Sequence, residues 1–167
     1  MIKGHNLTNT SSYIKNFIFG VEDSLVSTVG LLSGVASGGL PKPEIFLTGV
    51  VLIFVEAFSM GVGSFLSEGF VDDLNHNKPS SRSAIGGVIM LFSYFLAGFI
   101  PLAPYVFAPT PQAIIISILF SLLSLLILGT ISAYAFKVNP IKHGLRMLLM
   151  GGGAIIVGVI VGKNINV

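Results

Sequence analysis

From Ser83 to Phe136 the chain runs through 54 residues without one charged side chain. A soluble surface does not tolerate such a run. At about 1.5 Å per helical residue it is long enough to cross a hydrocarbon layer of about 30 Å twice. The piece Pro101-Leu-Ala-Pro104, followed by Pro109-Thr-Pro111, interrupts it near the middle, where proline ends or kinks a helix. Three more apolar stretches of similar length flank the run. The expected spans are residues 14–37, 44–67, 84–107, 111–136 and 143–162. Composition agrees: 10% of residues are charged and 53% hydrophobic, whereas soluble domains carry about 25% charged residues. The fold class expected is an all-α integral membrane protein with five transmembrane helices. It forms a single domain over residues 1–167, with one short polar link at 68–83. Glu22 and Asp23 in the first span, and the lack of a small-residue cleavage site after a short apolar core, argue against a cleaved signal peptide.

Several function classes drop out. Nine Lys and Arg with a net charge of +2 are too few for a nucleic-acid footprint. The absence of Cys removes disulfides, thiolate metal sites and a Cys nucleophile. His5, His76 and His143 are far apart in sequence, and no His is expected at the depth of the buried acids, so neither a zinc cage nor a Ser-His-Asp set is credible. Gly151-Gly-Gly153 lacks the Lys-Ser/Thr and the preceding strand of a phosphate loop. What remains is an integral membrane protein of one domain, expected to act as a secondary transporter and not an enzyme, with no permanently bound cofactor.

Orientation follows from basic residues. One side holds Lys3, Lys15, Lys78, Arg82, Lys137, Lys142 and Arg146; the other holds Lys42 and Lys163. Seven against two places the N-terminus in the cytosol and, with five spans, the C-terminus outside.

The apolar spans contain acids. An Asp at the bilayer centre costs about 2.5–3.5 kcal/mol, and such residues usually mark ion or proton pathways. Asp23 is eight residues beyond Lys15, about 12 Å deep. Met60 is eight residues before Glu68 on the returning span, at a similar depth, and Glu56 lies midway between Glu44 and Glu68. Glu22 is expected to reach back to the interface. On the first span, Gly20, Asp23, Ser27, Gly30 and Gly34 form a small, polar row; on the second, Glu56, Met60, Gly63 or Ser64, and Ser67 form another. Such rows more often pack helices than line pores. The coincidence in depth of Asp23 and Glu56 favours function.

Carboxylate oxygens with a thioether suit a borderline divalent transition metal, Fe²⁺ with Mn²⁺ or Co²⁺ as alternatives. Asp23, Glu56 and Met60 are few ligands for one cation, and a two-fold homodimer doubles the set. Acids withdrawn from water favour the neutral form, so metal expels protons and protons expel metal. That linkage is the basis of metal/proton exchange.

Four stretches carry a resemblance to a known family. They are Lys15-Asn-Phe-Ile-Phe-Gly20-Val-Glu-Asp23-Ser-Leu-Val-Ser27, continuing to Gly34-Val-Ala; Ser59-Met60-Gly-Val-Gly63-Ser-Phe-Leu-Ser67; Pro101-Leu-Ala-Pro104-Tyr105; and Arg146-Met-Leu-Leu-Met-Gly151, continuing through Ala154 and Gly158. In this order they resemble the vacuolar iron transporters and their prokaryotic relatives. The resemblance implies a five-helix dimer with its ion path between the two copies of spans one and two. It also implies Fe²⁺, and often Mn²⁺, moved out of the cytosol in exchange for protons. Asp23 and Met60 match the path-lining Asp and Met of that family. Two positions depart from its pattern. Ser24 replaces a Gly, and Ser64 replaces a Glu; Glu56 lies two turns deeper on the row of Ser64, which leaves the identity of the cation open. Ser27, Gly63 and Ser64 are further path-lining candidates. The plant members' metal-binding insert between spans two and three is absent. Glu68, Asp72 and His76, at i, i+4 and i+8, are the candidates for a small cytosolic metal-collecting mouth, beside the plainer alternative of a solvated acidic helix end. The short link is similar to prokaryotic members and implies a cell membrane. A non-transporting membrane scaffold or assembly subunit, or a transporter of another cation, remain the alternatives.

Overall fold

The computed structural model describes residues 2–74 and 81–165, with side-chain surroundings from residue 11 onward. Six helices follow in order: α1 (Ile2–Ser37), α2 (Lys42–Leu74), α3 (Ser81–Leu102), α4 (Pro104–Phe107), α5 (Thr110–Ala135) and α6 (Pro140–Asn164). No strand occurs among the described residues. Among the described residues five segments are long and apolar enough to cross a membrane: Ser11–Ser37, Lys42–Leu74, Ser81–Phe107, Thr110–Ala135 and Pro140–Asn164. The helices overrun the expected spans at the polar ends. α1 begins before Ile14, and α2 continues past Ser67 to Leu74. Nothing between Ser67 and Leu74 breaks a helix, since Asp72 and Asp73 solvate readily outside the lipid and no proline intervenes.

The turns are built from local sequence. Gly39 adopts φ 88°, and the amides of Gly39 and Leu40 close on the carbonyls of Ala36 and Val35 at 3.2 and 3.3 Å. This Schellman cap ends α1. The same pair of bonds ends α5, where Lys137 takes the left-handed position at φ 55° and Val138 N reaches Ala133 O at 2.9 Å. Asn139 then caps α6, its side-chain oxygen accepting from Ile141 N and Lys142 N. Pro101 lies inside the last turn of α3, and Pro104 opens α4. The Pro101 carbonyl accepts from Ser117 Oγ on α5 at 2.7 Å, which satisfies a carbonyl exposed by the break.

α1 is the central element. It packs mainly against α3 and α6, while α2 rests on α3 and touches α1 sparingly. One core cluster gathers Leu32, Ile45, Ile53, Leu102 and Tyr105; a second gathers Leu25, Ala97, Leu125 and Met147. Small polar residues are buried among them, including Ser24, Ser93, Ser117 and Ser121, as expected where helices approach closely in lipid. Large apolar side chains such as Leu47, Phe54, Phe58 and Leu119 point outward, each more than half exposed. This distribution suits a lipid surround.

Two glycine seams fix the packing. Gly30 and Gly34 of α1 meet Ala154, Gly158 and Gly162 of α6 backbone to backbone. A Cβ at Gly34 would stand 2.8 Å from the Gly158 carbonyl, and one at Gly158 would strike the Gly30 carbonyl. On α2, Ile45, Gly49, Ile53, Ala57 and Gly61 recur every fourth residue and are all buried; a Cβ at Gly61 would lie 3.1 Å from the Gly87 carbonyl of α3. The Gly158–Gly162 pair therefore packs within the chain.

Candidate metal site

Asp23 on α1 and Glu56 on α2 are both partly buried and lie within electrostatic reach of each other. Glu56 lines a shallow groove of about 250 Å³ with Leu31, Thr48 and Val55. Met60, one turn along α2, lines a different hollow, a cleft of about 530 Å³ that also includes Gly63, Ser64, Ser67 and Glu68. Gly63 faces open space, with nothing near the position a Cβ would take. Met60 thus stands between the acid pair and the cleft.

The small row of α1 divides. Gly20 is covered by Met90 and Ser93 of α3, and Gly30 and Gly34 are covered by α6. Those glycines serve helix contact; Asp23 and Ser27 stay partly exposed. Ser27 Oγ and Tyr94 Oη share a hydrogen bond of 2.7 Å, and Ser24 Oγ donates to the Tyr94 carbonyl at 2.6 Å. Tyr94 is fully buried and lies within electrostatic reach of both Asp23 and Glu56. Sequence spacing does not single it out. Its signal is a tyrosine in mid-span, where tyrosines normally collect at the membrane interface.

The three mouth candidates separate. Glu68 Oε1 accepts from Ser12 Oγ at 2.9 Å and Asn16 Nδ2 at 2.8 Å, both on α1. Asp72 accepts from Ser83 Oγ on α3 at 3.2 Å. His76 lies outside the described residues. No group of three or more His, Cys, Asp or Glu among the described residues is arranged to hold a metal ion, so a single copy offers the acid pair and thioethers only.

Glu22 lies within electrostatic reach of His143 and Arg146 on α6 as well as of its neighbour Asp23. The α1–α6 seam brings the first turns of α6 beside α1, a relation that sequence distance hides.

Comparison with known proteins agrees with this architecture. The chain matches the VIT family over residues 14–85 and 70–163. It is 35% identical over 81 residues to a vacuolar iron transporter of Centaurea cyanus, covering 47% of this chain and 33% of that protein. It is 22% identical over an alignment of 200 positions to vacuolar iron transporter 1 of Tulipa gesneriana, covering 83% of this chain and 81% of that protein. A vacuolar iron transporter of Toxoplasma gondii is 33% identical over 63 residues, 37% of this chain and 21% of that protein. Matched along nearly its whole length, with five apolar helices in the structure, the chain belongs to the VIT family.

Proposed function

We propose that the chain is a proton-coupled exporter of a divalent transition metal, Fe²⁺ with Mn²⁺ as a second cargo. The metal moves out of the cytosol along a path between α1 and α2 of two copies related by a two-fold axis. The observation that carries this reading is the approach of Asp23 to Glu56 on a face that their own chain leaves partly open. Two acids at membrane depth need water, a partner or a cation. A second copy supplies cover and a second Asp23, Glu56 and Met60, giving six ligating side chains of mixed hardness around one axis. Oxygen and thioether donors together favour Fe²⁺ over Mg²⁺ or Ca²⁺. The relatives' names, each an iron transporter, support the same cargo.

The exchange follows from charge. Ionised carboxylates gathered in low dielectric repel one another, and either a divalent cation or protons remove the repulsion. Metal arriving from the cytosol displaces protons from the acids; protons arriving from the far side displace metal. Ser27, Gly63 and Ser64 border the route and leave it narrow and polar. The basic ends, among them Lys15, Arg82, Lys137 and Arg146, set the N-terminus in the cytosol, and the short link between α2 and α3 fits a cell membrane.

The test is Co²⁺ or Fe²⁺ uptake into proteoliposomes under an imposed proton gradient. Flux is expected in the wild type, with loss in Asp23→Asn, Glu56→Gln and Met60→Leu. Gradient-independent flux, or flux unchanged in the two acid variants, overturns the reading. A dimer cross-linked through α1 is expected; a monomer that transports removes the interface path.

A further inference from the structure

The cleft of about 530 Å³ beside Met60 holds a feature that the acid pair does not use. Both donors to Glu68, Ser12 Oγ and Asn16 Nδ2, go to a single oxygen, Oε1. Oε2 is buried and has no partner among the described residues. A buried carboxylate oxygen left unpaired is costly, and structures keep one where something else meets it. The carboxylate is also held in orientation, since two donors from successive turns of α1 fix its other oxygen.

Thioethers border the same cleft on two sides, Met60 from α2 and Met90 from α3. Met90 is 4% exposed, and its Sδ lies 3.2 Å from the position a Gly20 Cβ would take. Gly20 thus makes room for the Met90 sulfur against α1. A leucine would fill this volume as well; a sulfur adds a soft donor. Lys15 stands at the rim and is exposed, while Glu68 Oε2 is tucked beside α3, 3.0 Å from the position a Gly86 Cβ would take.

We infer that this cleft is a separate cation-binding station, in which Glu68 Oε2 and the Met90 thioether hold a borderline divalent metal on the cytosolic side of the Asp23–Glu56 pair. The station rests on the exporter reading for its place on a route, though its ligands are different. The ion it selects is one that accepts sulfur: Fe²⁺ or Co²⁺, with Mg²⁺ and Ca²⁺ excluded for want of enough oxygen donors.

The experiment measures Co²⁺ binding to the purified full-length protein in detergent, by equilibrium dialysis. It compares the wild type with Glu68→Gln, Met90→Leu and the double variant Asp23→Asn/Glu56→Gln. Met90→Leu conserves volume, and so tests the sulfur with little disturbance of packing. One class of Co²⁺ sites is expected to weaken about tenfold or more in Glu68→Gln and in Met90→Leu. The same class is expected to persist in the double variant and to resist excess Mg²⁺. Unchanged binding in both Glu68→Gln and Met90→Leu overturns the station, as does its disappearance in the double variant. Proteoliposome flux on the same proteins separates the two claims. A wild type that binds Co²⁺ through Glu68 and Met90 yet carries none across upholds the station and sinks the exporter.

Discussion

The hydroxyls of Ser27 and Tyr94 meet at 2.7 Å across the contact between α1 and α3. One of the two donates to the other, and Ser27 has only a long alternative, the Ser24 carbonyl at 3.5 Å. With Ser24 Oγ held on the Tyr94 carbonyl, the tyrosine is pinned at both its backbone and its ring. This clamp sets the rotation of α1 about its axis, and so the direction in which Asp23 faces.

Removing that hydroxyl tests the clamp. Tyr94→Phe is expected to cost about 0.5–1.5 kcal/mol, read as a thermal midpoint in detergent lower by about 2–4 °C for each kcal/mol. Ser27→Ala added to Tyr94→Phe should cost little more, because both remove one shared bond. Full additivity would show that the two hydroxyls act separately.

The glycines of α6 are predicted to behave in two ways. Gly158→Ala drives a Cβ into the Gly30 carbonyl, and neither backbone can yield locally, so a loss of about 1–3 kcal/mol is expected. Gly153→Ala meets nothing within 4 Å and should be neutral or stabilising by up to about 1 kcal/mol, since alanine is the better helix former. Size-exclusion profiles and thermal midpoints of the two variants check the contrast. Equal behaviour would remove the seam.

The turn between α5 and α6 supplies a pair of opposite effects. Lys137 holds a left-handed conformation at φ 55°, which costs a non-glycine residue about 1–2 kcal/mol. Lys137→Gly should therefore raise stability by about 1 kcal/mol. Asn139→Ala removes the cap from Ile141 N and Lys142 N and should lower it by about 1 kcal/mol. Chemical unfolding of both variants in mild detergent measures the signs.

Glu22 and His143 supply the fourth test. They approach each other across the α1–α6 contact. A double-mutant cycle with Glu22→Gln and His143→Asn is expected to show a coupling of about 0.5 kcal/mol or more, shrinking as salt is raised. Zero coupling at low salt would mean that the two side chains ignore each other.

The spans were legible because lipid demands long apolar helices and marks their ends with prolines and charges. Asp23 and Glu56 were legible as acids inside stretches that lipid would keep apolar. Rotation about the helix axis was not. Gly30 and Gly34 share a row with Asp23 and Ser27, yet they face α6, because packing partners are chosen by the whole bundle. For the same reason the roles of Tyr94 and Met90 and the approach of His143 to Glu22 depend on which helices become neighbours. Glu68 and Asp72 share a helical row, but hydrogen bonding sends one to α1 and the other to α3.

Where α1 and α6 meet through glycine, no side chain is present to re-pack, and neither rod can slip along the other without carbonyls colliding with backbone. The two therefore act as a single stiff strut. α2 is seated on α3 and meets α1 less extensively than α3 and α6 do, and is less firmly tied to it. With α3 clamped to α1 through Tyr94, any widening of the gap faced by Asp23 and Glu56 falls to α2 shifting against the other helices. A covalent link between α1 and α6 should then leave the cycle running, and one between α1 and α2 should stop it.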